Sequence, residues 1–158
     1  MSSALVVLTI AAALGSGLAA GVFFAFSTFV MPALGRLPAE RGVAAMQAIN
    51  IAAINPWFMT ALFGTGAVCL ATIVAALVSW DASYGPYLLI GGVLYLLGVI
   101  GVTMVFNVPR NDALARLDPI EAAAYWAHYL REWTAWNHVR TIAPLIGAGL
   151  QAGALHVG

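Results

Sequence analysis

ALVVLTIAAALGSGLAAGVFFAFSTFV, residues 4–30, carries neither a charged side chain nor a proline. At ~1.5 Å per helical residue it is long enough to cross the ~30 Å hydrocarbon core of a bilayer. No lysine or arginine precedes it and it is longer than a signal-peptide core, so it is read as a retained span rather than a cleaved leader. Three further uncharged runs follow, at 42–80, 82–109 and 141–158. Each approaches or exceeds the ~20 residues a transmembrane helix needs. The runs are continuously apolar rather than alternating, which favours helices over a closed barrel. The 158-residue chain is 63% hydrophobic and only 8% charged, against roughly half and a quarter in a soluble domain. Zero net charge and a single cysteine, Cys69, argue against a nucleic-acid binder and a secreted disulfide scaffold.

The expected fold is therefore all-α, an integral membrane four-helix bundle forming one domain, with spans at about 4–30, 57–78, 87–106 and 141–157. Pro32 is expected to close the first span, and Val43–Ile54 to form a short interfacial helix before Pro56. Trp80, Asp81, Gly85 and Pro86 suit a tight turn, and Pro109 is expected to break the third span. Asp118 suits a helix cap, with Pro119 at the first helical position and Glu121 in the first turn. The helix starting there has its first half outside the hydrocarbon and its second half as span four. Segments 32–55 and 107–140 then share one side and hold all six arginines. The positive-inside rule makes that side cytoplasmic and puts both termini and the Asp81 turn outside, as in a multi-pass protein of a bacterial inner membrane. Ala13, Gly17, Gly21 and Ala25 recur every four residues, as do Gly149 and Gly153. Such spacing predicts close helix contacts, although glycine is also simply frequent in membrane helices.

Uncharged polar groups gather on the arginine side: Gln47, Asn50 and Asn55, then Asn107 and Asn111, then Asn137, His138 and Arg140. Near lipid they need partners, and either a polar pocket at the cytoplasmic mouth or a set of helix caps and loop ties would supply them. At 100° per residue Trp126, Tyr129, Trp133, Trp136, Asn137 and Arg140 share a face that continues through Pro144 and Gly147 to Gln151. That face either lines a cavity for a flat hydrophobic ligand or forms an interfacial aromatic belt. His128 and His138 lie ~15 Å and ~80° apart on a straight helix and cannot chelate one ion together. A protein-only metal site is not expected, whereas a single axial histidine on a haem stays open. No charged residue sits deep in a span, which disfavours proton-coupled transport, and no glycine-rich phosphate loop is present.

Four stretches carry a resemblance: Gly21-Val-Phe-Phe-Ala-Phe-Ser27 leading to Val30-Met-Pro32, Ala45-Met-Gln-Ala-Ile-Asn50 followed by Asn55-Pro56, Phe106-Asn-Val-Pro-Arg-Asn111, and Trp133-Thr-Ala-Trp-Asn-His-Val-Arg140. In this order the chain resembles the anthrone-oxygenase-like family of small four-span membrane proteins, most of which have no assigned function. The resemblance implies oxidation of a hydrophobic polycyclic phenol by molecular oxygen as co-substrate, with no metal or organic cofactor. It also implies site roles: His138 as base, Arg140 and Asn137 as oxyanion donors, and Asn107 and Asn111 as orienting groups, with Trp133, Trp136, Asn50 and Asn55 beside the substrate. On an unbroken helix His138 points ~200° of turn away from Arg140, so the two meet only if the helix is distorted or another protomer contributes. If the helix is regular, His138 is expected to pair with the loop carrying Arg110 and Asp112. The alternative function is a non-catalytic membrane module that binds a lipid, a quinone or a partner protein. An enzyme should have a pocket reaching Asn107, Asn137 and Arg140, whereas a scaffold should fill that space with Trp133 and Trp136 and bond its polar groups to one another. The expected partners are the bilayer and an aromatic small molecule; a homo-oligomer stays open and nucleic acid is not expected.

Overall fold

A computed structural model describes residues 1–80 and 82–158; Asp81, assigned above to a turn, lies outside the described residues. The protein is all-α. Helix α1 spans Ser3–Gly35, α2 Ala39–Ala53, α3 Pro56–Val78, α4 Gly85–Arg116 and α5 Pro119–Val157. Their starts follow from local chemistry. The Asn55 side chain accepts from the Phe58 amide at 2.9 Å, with Pro56 in the first turn of α3. Asp118 accepts from the amides of Ile120 and Glu121, both at 2.9 Å, at the head of α5. Each cap satisfies amides that have no partner within the first helical turn.

Pro32 and Pro109 do not end their helices: α1 runs on to Gly35 and α4 to Arg116. Just before each proline the helix widens, over Phe26–Val30 and Thr103–Asn107, and the Met31 and Val108 amides reach back five residues to the carbonyls of Phe26 and Thr103. A proline has no amide hydrogen, and its ring presses on the carbonyl four residues back; a widened turn relieves both conflicts without breaking the helix. Pro144 is likewise carried inside α5, on its buried side.

Helices α1, α3 and α4 are long and apolar enough to cross a membrane. Helix α5 is not among them. Its residues 141–157 include Thr141 and Gln151 among the apolar residues, and both face inward. Helix α1 packs on α3 and α5, and α4 also packs on α3 and α5. The core has an end cluster of Leu5, Ala76, Leu88 and Ala154, and a middle cluster that includes Phe23, Leu62, Tyr95 and Val99. A third cluster at the arginine-bearing end includes Met31, Met46, Leu114, Trp126 and Tyr129. At the opposite end the Met1 amine lies 3.1 Å from the Gly158 carbonyl, and Ser83 donates to the Val157 carbonyl at 2.7 Å. Between these ends Ser16 donates to Gln151 Oε1 at 3.3 Å, and Gln151 Nε2 reaches Cys69 Sγ at 3.5 Å. These bonds tie α1, α3 and α5 together in a layer with no access to water.

Of the glycines in the four-residue repeats, Gly153 does mark a helix contact, since a Cβ there would lie 3.3 Å from the Tyr87 ring of α4, whereas the others do not. A Cβ added to Gly17, Gly21 or Gly149 would meet nothing within 4 Å. The buried residues of α1 instead follow Leu5, Thr9, Ala12, Ser16, Ala19 and Phe23, one step off the small-residue stripe. Close approach occurs between Gly91 and Gly147, where a Cβ on Gly147 would lie 2.9 Å from the Gly91 carbonyl oxygen. Backbone cannot give way as a flexible side chain can, so Gly147→Val is expected to force α4 and α5 apart and cost about 2–4 kcal/mol. Detergent-denaturant unfolding would measure the loss; Gly149→Val, at an open position, should stay within about 0.5 kcal/mol of the parent.

Candidate functional site

Helix α5 is regular across Trp126–Arg140, and its buried face carries Trp126, Tyr129, Trp133, Asn137 and Arg140. The aromatics are therefore core residues rather than a belt on lipid headgroups. Trp126 stacks on Tyr129 at a centroid distance of 5.5 Å. Trp136, assigned to the same face, is half-buried and stacks on Phe106 at 3.5 Å.

Arg140 is 5% exposed. Its guanidinium carbon lies 4.4 Å from the Phe23 ring centroid and 4.8 Å from that of Trp133, so an aromatic ring flanks it from α1 and another from its own helix. Nη2 donates to Asn137 Oδ1 at 2.8 Å and Nη1 to Thr103 Oγ1 at 3.3 Å, while Nε is buried without a partner. Asn137 in turn donates to the Phe23 carbonyl and to Ser27 Oγ, both at 2.7 Å. Asn137 thus reads the backbone of α1 just before its widened turn and holds Arg140 in place. Among the described residues the salt bridge is Arg110–Glu132 at 3.1 Å, and Arg140 has no carboxylate partner.

Arg140 opens onto a cavity of about 790 Å³ between α1, α2, α3, α4 and α5. Such a volume lies within the ~300–1,000 Å³ of small-molecule sites. Its wall is mainly apolar, with Phe23, Phe26, Met46, Phe58 and Leu62 contributing, while Arg140, Asn111, Asn50 and Asp112 supply polar groups. Asn111 Oδ1 accepts from the Tyr129 hydroxyl at 2.8 Å and from Trp133 Nε1 at 2.9 Å. That double acceptance fixes the amide orientation and leaves its NH2 without a bond among the described residues, available to a ligand. Burial pushes the Tyr129 hydroxyl well above the ordinary tyrosine range, so it stays protonated and keeps donating. Next to the cavity, at the α2–α3 junction, Ile51, Ile54 and Trp57 are 75%, 78% and 86% exposed.

The remaining assigned residues divide. Asn50, Asn55, Asn111, Trp133 and Arg140 line the cavity. Asn55 is fully engaged as a cap, its amide donating to the Ala52 carbonyl at 2.9 Å. Asn137 lies behind Arg140, and Asn107 behind Trp133, whose carbonyl accepts from Asn107 at 3.2 Å. The space therefore reaches Arg140, as an enzyme requires, while Asn137 bonds internally, as a scaffold requires, and Asn107 does so only through its amide NH2, its Oδ1 being buried without a partner. His138 is exposed on the far side of α5, which is undistorted there, and it is not among the residues lining the cavity. Nor does it pair with Arg110, which bonds Glu132 instead. His128 and His156 are exposed as well. Sequence reasoning missed Phe23 and Phe26, although both lie in the Gly21–Ser27 stretch, and it missed Asp112, the immediate neighbour of Asn111.

A family model described as anthrone oxygenase matches residues 56–150, which cover α3, α4 and most of α5 with the Asn111, Trp133 and Arg140 wall of the cavity. The chain belongs to the anthrone oxygenase family. No curated protein and no solved structure matched the chain. The family match takes in both motifs around the cavity, Phe106–Asn111 and Trp133–Arg140, whereas Phe23, Asn50 and Asn55 lie before it.

Proposed function

We propose that this anthrone oxygenase family member is a four-span membrane protein, its arginine-rich end cytoplasmic, whose cavity binds the keto form of a hydrophobic polycyclic phenol, stabilises the anion formed from it and oxidises that anion with molecular oxygen. The supporting observation is Arg140: a guanidinium almost wholly out of water, flanked by two rings, lining a ligand-sized cavity and lacking a carboxylate. A buried charge without a counter-charge is costly, and an oxyanion delivered by the ligand would offset that cost. Phe23 and Trp133 offer flat surfaces for the ligand's rings. The span assignment for α5 rests on its packing between α1 and α4 and on its buried, bonded polar residues.

Asp112 lines the same cavity and takes the role of base in place of His138. Its carboxylate removes a proton from the doubly benzylic carbon; the electron pair passes through the ring to the oxygen facing Arg140 and Asn111. Pairing a carboxylate base with oxyanion donors lets a weak base remove a weakly acidic C–H proton. The electron-rich anion passes one electron to oxygen, radical recombination gives a peroxide anion at that carbon, and protonated Asp112 returns its proton to make the hydroperoxide. Loss of water then leaves a carbonyl, so one oxygen atom enters the product and the other leaves as water.

Anthrone in deuterated buffer without oxygen tests the first step apart from the oxidation. The expected result is protein-catalysed exchange of the benzylic hydrogen, reduced ~100-fold or more by Asp112→Asn with binding retained. Binding without any catalysed exchange would leave a ligand-binding membrane module, and unchanged exchange in Asp112→Asn would remove Asp112 as the base.

A further inference from the structure

His138 leaves the site just described and belongs to another. On the outer surface between the end of α1 and the first half of α5 is an open groove of about 540 Å³. Its floor is small or apolar, with Met31, Pro32 and Gly35 from α1 and Leu130 and Thr134 from α5. Arg36, Arg131 and His138 line it as well, and all three are exposed. No carboxylate is among the lining residues, and neither Arg36 nor Arg131 forms a salt bridge among the described residues. Arg131 is positioned by His128, whose Nδ1 lies 3.2 Å from its Nη2.

The two helices run antiparallel, so Arg36 and Arg131 lie toward the end of the groove beyond the apolar part of α1, whereas His138, next to the Asn137 that bonds Phe23 and Ser27, lies at the other end. Arg36 is the first charged residue of α1 and comes six residues after Val30, where the expected first span ends, a helical rise of ~9 Å. In the membrane reading above, that is the level of the phospholipid phosphates. The opposite end of the groove, at Met31 and Pro32, meets the hydrocarbon.

We infer that this groove holds an anionic phospholipid, its phosphate between Arg36 and Arg131 and the start of an acyl chain along Met31 and Thr134 toward His138. Charge complementarity selects the occupant: a cation-lined, carboxylate-free trough with an apolar floor matches one negative headgroup attached to a hydrocarbon tail, and a zwitterionic headgroup matches it less well. The inference rests on the membrane reading and is independent of the oxidation chemistry.

The test is native mass spectrometry and thermal unfolding of the whole protein in detergent, titrated with phosphatidylglycerol, with phosphatidylcholine, and with inorganic phosphate. The expected result is one tightly held phosphatidylglycerol, preferred over phosphatidylcholine and accompanied by a rise in Tm. The double variant Arg36→Gln/Arg131→Gln should weaken that binding ~10-fold or more, whereas His138→Gln, at the other end of the groove, should change it by no more than about twofold. Arg41→Gln/Arg116→Gln removes the same charge at exposed positions outside the groove and should retain the adduct. Equal loss in the two double variants would overturn the inference, because binding would then follow overall charge. So would equal binding of both lipids, or inorganic phosphate alone reproducing the whole Tm rise. Anthrone binding read on the same samples separates the two proposals, since the groove variants leave Arg140 and the cavity intact.

Discussion

Arg140→Met is expected to weaken binding of an anthrone-type anion ~100-fold or more while the protein still assembles. Methionine keeps the apolar stem between Phe23 and Trp133 and fills part of the space the guanidinium leaves, so the wall of the cavity persists. What disappears is the charge facing the ligand oxygen. Removing one member of a buried, hydrogen-bonded charge pair costs about 2–5 kcal/mol, and ~2.8 kcal/mol is a hundredfold in Kd. Asn137 Oδ1 and Thr103 Oγ1 each lose a donor, at a cost of about 1–3 kcal/mol for the buried Oδ1, while the Asn137 amide stays in place by donating to Phe23 and Ser27. Arg140→Lys retains the charge yet loses the planar fork, so it should fall between parent and methionine. The measurement is the visible absorption of the bound phenolate across a ligand titration. An unchanged Kd in Arg140→Met would place the oxyanion elsewhere and end the proposed chemistry.

Asn137→Leu, close in size, should instead unfold the arginine end of the protein. The substitution strips the acceptor from Arg140 Nη2 and the donors from the Phe23 carbonyl and Ser27 Oγ, all buried. A buried polar group left unpaired costs about 1–3 kcal/mol, and neighbouring ones relax only in part, so a loss of about 3–4 kcal/mol is expected. Unfolding in mixed detergent would show it. Asn55→Ala, which removes only the α3 cap, provides the scale at about 1 kcal/mol. If Asn137→Leu cost no more than that, Asn137 would be a bystander to Arg140 rather than its support.

The helical character of the chain was legible because charge and hydropathy set it directly, and so was the inner face of α5. That helix keeps the 100° phase from Trp126 to Arg140, so counting residues placed Tyr129, Trp133 and Asn137 correctly. Counting failed wherever the backbone departs from that phase. The widened turns at Phe26–Val30 and Thr103–Asn107 let α1 and α4 continue through Pro32 and Pro109, which read as stops. The same period-four counting picked out Gly17 and Gly21, which face away from the other helices. His138 was drawn in by its motif, yet it is one residue from Asn137 and so lies ~100° around the helix. Asp112 stayed hidden because nothing in the sequence tells a cavity wall from a solvated turn next to Asn111.

Under the proposed oxidation, the bare isoleucines and tryptophan at the α2–α3 junction alter how turnover should be measured. Ile51, Ile54 and Trp57 leave a greasy threshold beside the cavity, suited to molecules already dissolved in hydrocarbon. For the proposed reaction the governing concentration is moles of substrate per mole of lipid, not per litre. Adding empty vesicles at constant total substrate would then slow the reaction by surface dilution, and a Michaelis constant quoted in molar units would drift with every change of lipid-to-protein ratio.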